Sequence, residues 1–480
     1  MMEMILTLRR QNRSGVDILR EKKFHMPTAY TILFLLLILV AAATWIIPAG
    51  SYDYVDGVPV AGTYHAVAQN PQGVGDVLKA AFSGFYDAVD VCIFILMVGG
   101  FLGVVMKTGA VDAGVSNIIR LLGGREKWLI PILMLLFGLG GTTYGMWEET
   151  MAFYPLLIPV FLAAGYDAVV GISVILLGAG AGVIASTVNP FATGIAAGFA
   201  GVSLGEGIVL RLLEWVAFEA AAIWFVMAYA ARIKRNPSKS VVGVGAGKIQ
   251  VTMDQQVPFT AKRKVIMAFF TLTFLIMVYA VVPFDEMGLP LPTLGWWFPE
   301  LSALFLVAGV VIGLIDRMSE EELVETYVAG CADLLGVAFI IGISRGITVL
   351  MRDGAITDTI LHWGEAALSG AGAVSFTLLV FVLYLPLTIL IPSSSGLATL
   401  SIPIVAPLGK FAGVGGDLVV TAFQSASGLV NILTPTAAVV MGALALGHVP
   451  YDRWVKYVWK LMLWFLLLAL VFLVAGVLLG

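Results

Sequence analysis

The chain has 480 residues, 60% of them hydrophobic and only 12% charged, with a formal net charge of −4. Soluble domains carry roughly 25% charged residues, and a core this large cannot be given a polar surface from so few, which excludes a soluble globular protein. Two cysteines, Cys92 and Cys331, both lie in apolar text and supply neither a disulfide framework nor a metal cluster.

Residues 1–27 hold Arg9, Arg10, Arg13, Arg20, Lys22 and Lys23 ahead of an apolar run too long for a signal-peptide core, and read as a cytoplasmic tail. A first span covers about 27–48. Residues 49–86 form a polar outer loop, whose end at 77–85 is amphipathic enough to lie on the membrane surface. The second span runs over 87–106, followed by an amphipathic piece at 111–123. Two apolar stretches, 128–137 and 151–163, are each shorter than the roughly 20 residues a crossing needs. They flank a polar, Gly-rich knot at 138–150 and predict a re-entrant hairpin over about 127–164, entering from the cytoplasm. The third span, 168–203, is interrupted at Ser186-Thr187-Val188-Asn189-Pro190, where proline lacks an amide hydrogen. The fourth covers 211–229.

Residues 231–264 are a basic linker with eight Lys and Arg and one acid, Asp254, and belong in the cytoplasm. Their VVGVGAGK segment lacks the G-x-x-x-x-G-K-[ST] spacing of a nucleotide loop. Residues 265–299 add a fifth span and an outer loop with Asp285 and Glu286. A sixth span covers 301–315, an acidic amphipathic piece 316–330, and a seventh span 333–350 with Arg345 inside it. A second hairpin over about 370–410 enters from outside with its tip at Ser393-Ser394-Ser395. The eighth span begins near Asp417 and breaks at Asn431-Ile432-Leu433-Thr434-Pro435. The ninth follows Arg453, Lys456 and Lys460.

The same order of features thus occurs twice, in 28–230 and in 300–480, and MKTGA at 106–110 is echoed by MRDGA at 351–355. The extra fifth span reverses the second copy. The expected fold is an all-α polytopic membrane protein of two inverted repeats, each with a re-entrant hairpin and a broken helix. Lipid does not tolerate unpaired backbone, so such breaks must line a cavity or be buried in protein. In secondary carriers, paired breaks of this kind build the substrate or ion site near the midplane. A channel would need a continuous polar pore or ring motif. A membrane enzyme would need a nucleophile–base pair or a metal cluster, which the four histidines at 25, 65, 362 and 448 do not supply.

Glu148 and Glu149 are the sharpest site candidates, because a carboxylate at a hairpin tip within the bilayer is costly and functional by default. They suit an amine or guanidinium, a bound cation, a coupling proton, or simply a cap on the following helix. Adjacent helical residues point about 100° apart, so one of the two is expected to face the site. Arg345 either grips a substrate carboxylate, pairs with Asp333 or an acid of the other repeat, or snorkels toward a membrane face; twelve residues, about 18 Å on a straight helix, separate it from Asp333. Asn189, Asn431 and the hydroxyls of Thr142, Thr143, Ser393, Ser394, Ser395 and Thr434 sit beside unwound carbonyls and helix N-termini, which favour a polar or anionic group. Tyr144 either packs on a cationic chain or merely packs between helices. A sodium site near Ser186, Thr187, Asn189, Asn431 and Thr434 is also compatible with oxygen ligation.

The stretches GTTYGMWEETMAFYPLLIP and GYDAVVG…LLGAGAG…STVNPFATGIAAG resemble the YfcC family of basic amino acid antiporters, and the resemblance extends over essentially the whole chain. That family is grouped with anaerobic four-carbon dicarboxylate carriers and arginine/ornithine exchangers. The architecture is also similar to the divalent-anion/sodium symporters, whose paired Ser-Asn-Thr tips are replaced here by Gly-Thr-Thr-Tyr and Ser-Ser-Ser-Gly. The resemblance implies a secondary transporter in a prokaryotic inner membrane, working as a homodimer by an elevator movement. It implies no cofactor beyond a coupling sodium ion or proton, and no nucleic-acid partner. Exchange of basic or other polar amino acids is the expected function, and cation-coupled transport of four-carbon dicarboxylates is the alternative.

Overall fold

The computed structural model describes residues 29–479 apart from 112, 115–116, 118–124, 144, 204, 244–257, 282–283 and 285–289. The expected amphipathic piece at 111–123, most of the basic linker and the Asp285-Glu286 loop therefore fall largely outside the described residues.

Helix α1 (Ala29–Ala43) leads into a loop that carries two small antiparallel pairs, β1 (Gly50–Ser51) with β4 (His65–Ala66) and β2 (Tyr54–Val55) with β3 (Val58–Pro59). Next come α2 (Val74–Asp87) and α3 (Val89–Lys107). The first hairpin is α4 (Leu129–Thr143), a 3₁₀ turn (Glu148–Phe153) and α5 (Tyr154–Ala163); α6 (Ala168–Ile184), a π-helical turn (Pro190–Gly194) and α7 (Ile195–Ala200) form the first broken span. Two long helices, α8 (Ile208–Arg235) and α9 (Ala261–Val281), precede α10 (Phe298–Asp316), α11 (Glu320–Asp353) and α12 (Thr357–Leu368). The second hairpin is α13 (Ala373–Leu390) with α14 (Ser394–Phe411), the second broken span α15 (Gly416–Asn431) with α16 (Ala438–Leu446), and α17 (Tyr451–Leu479) closes the chain. Among the described residues, α3, α10, α11, α13 and α17 are long and apolar enough to cross a membrane.

Two expectations change. The acidic piece 316–330 and the seventh span are one 34-residue helix, α11. Glu320, Glu321 and Glu322 fill its first turn and the Ser319 hydroxyl accepts from the Glu322 amide at 3.2 Å. Acids at a helix N-terminus complement its dipole, which gives the acidic cluster a local role. The helix at 77–85 is longer than expected and does more than lie on a surface. It packs along α11 so closely that a methyl group on Gly84 would sit 2.1 Å from the Gly342 carbonyl oxygen. Small residues at such crossings let backbones approach where lipid gives no hydrophobic drive to associate.

Packing divides the helices into two groups. In the first, α11 lies against α1, α2 and α3, while α10 bridges α3 and α9. In the second, α6 lies at the centre, touching α4, α5, α8 and α15, and α17 closes over α8, α13 and α15. Every residue of α6 is buried, which is why that segment reads as apolar all round. The two groups meet where α16 and the 3₁₀ turn reach α11 and α3.

Candidate functional site

Both chain interruptions have their freed backbone groups satisfied by specific side chains, as burial requires. At the first, the Thr187 amide and hydroxyl both donate to the Thr142 carbonyl oxygen, at 2.8 and 2.9 Å. The Thr142 hydroxyl donates to the Ala185 carbonyl oxygen at 2.8 Å. The first hairpin tip is thereby pinned to the broken span behind it. Asn189 turns the chain back into helix: its carbonyl oxygen accepts from the Gly194 amide at 2.7 Å and its Oδ1 from the Ala192 amide at 3.3 Å. At the second break, Ile432 O accepts from Trp454 Nε1 at 3.2 Å and Leu433 O from the Tyr451 hydroxyl at 2.8 Å, both donors belonging to α17. Thr436 O accepts from the Ser344 hydroxyl of α11 at 2.8 Å.

The two tips, the two breaks, α11 and the α2–α3 junction enclose a cavity of about 200 Å³. That is below the roughly 300–1,000 Å³ of sites for drug-sized molecules and suits a small metabolite. Glu148 and Glu149 line it from the first tip, Asn189 and Asn431 from the breaks, Ser393, Ser394 and Ser395 from the second tip, and Arg345 from α11. Residues far apart in the chain are thus brought around one space from two tips, two breaks and α11.

The two tip carboxylates occupy different settings. Glu149 is 5% exposed and its Oε2 accepts from the Trp147 backbone amide at 3.1 Å, so it holds the turn that carries it. Glu148 is less buried and lies within electrostatic reach of both Arg345 and Asp90. At the second tip, Ser393 caps α14: its hydroxyl accepts from the Gly396 amide at 3.2 Å. The N-terminus of this 18-residue helix, with Ser394 and Ser395 in its first turn, faces the cavity and favours a negative group there.

Other expected site residues are placed elsewhere. Thr142 serves the pinning contacts above, and the Thr143 hydroxyl donates to the Leu139 carbonyl oxygen at 2.6 Å; neither lines the cavity. Thr434 bonds to Thr436 at 2.8 Å, hydroxyl to hydroxyl, behind the lining. Tyr144 lies outside the described residues. Of the five oxygens suggested for sodium, only those of Asn189 and Asn431 reach the cavity. Thr187 is committed to Thr142, and the buried Ser186 hydroxyl has no hydrogen-bond partner among the described residues.

Reading the sequence missed Asp87, Asp90, Ser344 and Thr436, which also line the cavity. Asp90 had a legible signal, a carboxylate four residues into an apolar span. The position of Ser344, one residue before Arg345, was equally open to view.

A family model of C4-dicarboxylate anaerobic carriers, DcuC, matches residues 26–478. An uncharacterized protein of Haemophilus influenzae (strain ATCC 51907 / DSM 11121 / KW20 / Rd) is 35% identical over 510 residues, covering 95% of this chain and 98% of its own. The Escherichia coli (strain K12) protein YfcC, which carries the provisional name of basic amino acid antiporter, is 30% identical over 484 residues, 91% of this chain and 93% of its own. Among solved structures, the Alcanivorax borkumensis YdaH transporter aligns with a TM-score of 0.43 at 15% identity, over 93% of this chain and 98% of that one. A long apolar-helix protein with a family match over nearly its whole length is a multi-pass membrane transporter, and the chain belongs to the DcuC family of C4-dicarboxylate anaerobic carriers.

Proposed function

We propose that this transporter exchanges basic amino acids, or amino acids with a polar, amine-bearing side chain, across a prokaryotic inner membrane. The observation that carries this reading is the charge around the cavity. Asp87, Asp90, Glu148 and Glu149 face a single described guanidinium, that of Arg345. Asp87 also pairs with Arg352 at 3.8 Å, which leaves three carboxylates without that compensation. An amino acid with a cationic side chain matches both poles: its carboxylate meets Arg345 and the Ser393–Ser395 helix end, and its cationic end meets Glu148 and Asp90. A dicarboxylate would bring two further negative charges into the same space. The provisional name of the Escherichia coli relative agrees with the first assignment.

The dicarboxylate reading keeps one specific support, the family description itself together with Arg345 and the serine-rich helix end. A binding panel separates the two. Arginine, ornithine, lysine, neutral amino acids, succinate and fumarate are each tested for thermal stabilisation of the purified protein, with and without sodium, since a ligand that binds the folded state raises its apparent stability. Stabilisation by arginine or ornithine, lost in Glu148→Gln, is expected. Stabilisation by succinate or fumarate and by no amino acid overturns the amino acid assignment.

The transport movement we infer is an elevator. The group of helices centred on α6 carries both tips and both breaks and moves as a unit against the group centred on α11, within a homodimer of inverted repeats. Support comes from the division of packing into two groups that meet around the cavity. A crosslink joining α5 to α3 should abolish turnover while leaving substrate binding in place; undiminished turnover refutes the movement.

A further inference from the structure

A second ionisable cluster lies outside the cavity, on α8. That helix has 28 residues and is about 42 Å long at 1.5 Å per residue. Its basic end, Arg232, Lys234 and Arg235, marks the cytoplasmic side. Glu219 stands eleven residues from the other end, about 17 Å along the axis and close to the middle of the span. It is 2% exposed, and neither carboxyl oxygen has a hydrogen-bond partner among the described residues. Gly138, in the first arm of the first hairpin, makes room for it: a methyl group there would sit 2.4 Å from Glu219 Oε2.

The groups around Glu219 do not compensate a negative charge. On α8 itself, Glu214 is fully buried, accepts from the Ser425 hydroxyl at 2.8 Å, and shares Arg211 with Asp417 of α15. One guanidinium therefore already serves two carboxylates. The facing helices α4 and α6 contain no titratable residue. Helix α17 contributes Tyr457, whose hydroxyl lies 3.3 Å from Ser173, with its Asp452, Arg453, Lys456 and Lys460 toward the cytoplasmic end. The turn Pro237–Lys239 adds Lys239 beyond the basic end of α8. An ionised carboxylate in such a place is costly, and taking up a proton removes the charge.

We propose that Glu219 is a proton-binding site, distinct from the substrate cavity, that carries the coupling proton with the moving group of helices. The proposal rests on the transporter reading above for its role in coupling, and on the carboxyl's surroundings alone for proton binding. Proton binding makes the α4–α8 contact electrically neutral, so the hairpin and α8 can move together through the membrane without a net charge at their interface. Release requires water to reach the carboxyl from the side of the membrane to which the moving group has carried it, with the α4–α8 contact kept.

Two measurements on the full chain test it separately. Infrared difference spectra of the purified protein in lipid nanodiscs, titrated in pH, should contain a protonated-carboxyl band at neutral pH that Glu219→Gln removes and Glu219→Asp restores at a shifted frequency. In proteoliposomes, labelled arginine uptake by the wild type should respond at least tenfold to a pH gradient. Glu219→Gln should lose that response, keep arginine counter-exchange within about twofold, and leave the dependence on sodium unchanged. A missing band, a band untouched by Glu219→Gln, or a retained gradient response overturns the proposal, as does a wild type whose uptake follows sodium alone. Absence of any arginine uptake or exchange by the wild type would count against the substrate assignment instead, with the infrared band still deciding whether Glu219 holds a proton.

Discussion

Gly145, at the first hairpin tip, offers the most direct test of how the cavity is built. Its φ of +80° lies in the left-handed region, where an L-residue costs about 1–2 kcal/mol. An added methyl group would also sit 2.5 Å from Asn189 Nδ2 and 2.6 Å from Asn189 Cγ and Oδ1. Ordinary carbon contacts lie at about 3.5–4.0 Å, so Asn189 or the tip must shift by roughly 1 Å. Such a shift breaks the bond between Asn189 Oδ1 and the Ala192 amide, worth about 1 kcal/mol net. Gly145→Ala should therefore cost about 2–3 kcal/mol, divided between folding and the site. If half of it falls on the substrate-binding geometry, affinity drops roughly tenfold, since 1.4 kcal/mol is one decade. The assay is equilibrium binding of labelled arginine to the purified variant in nanodiscs, beside thermal unfolding of the ligand-free protein. Wild-type affinity together with wild-type stability would refute both the tip conformation and the role given to Asn189.

The two tip glutamates should separate. Glu148→Gln is expected to weaken arginine binding at least tenfold with little change in unfolding temperature, whereas Glu149→Gln should lower unfolding temperature by loosening the Trp147 turn; binding and thermal scans on both variants decide this. At the crossing of α3 and α11, a methyl group on Gly330 would sit 2.3 Å from the Gly99 carbonyl oxygen, so Gly330→Val should force the helices apart and reduce the yield of folded protein severalfold, measured by size-exclusion of the detergent extract. Cysteines introduced at Asp56 and Lys239 should be labelled by an impermeant thiol reagent from outside and from inside respectively, and any other pattern overturns the assigned orientation.

Much of this protein is determined locally. A run of apolar residues of spanning length must become helix in lipid, because only helix satisfies every backbone group within the segment. For the same reason Asn189-Pro190 and Thr434-Pro435 could be located as breaks from their letters alone. The helix–turn–helix of α4 and α5 was legible from two apolar pieces, each too short to cross. A carboxylate pair in that setting, Glu148-Glu149, was legible as chemistry from its cost. What composition and periodicity could not determine was which side chains converge. Arg345 stands twelve residues from Asp333 on one helix, and nothing in its neighbourhood distinguishes a snorkelling charge from one aimed inward; packing of α11 against α2, α3 and α16 decided it. The same packing brought Asp90 to the cavity and left Thr142 as a pin behind it, although Thr142 reads as the better binding residue. Glu219 was passed over for a related reason. It lies within the expected fourth span, where a carboxylate is costly, but only the closure of α4 over it, with Gly138, shows that its carboxyl is buried in protein. Burial of a polar group depends on which partner helix covers it, and that is a property of tertiary contacts between residues distant in the chain.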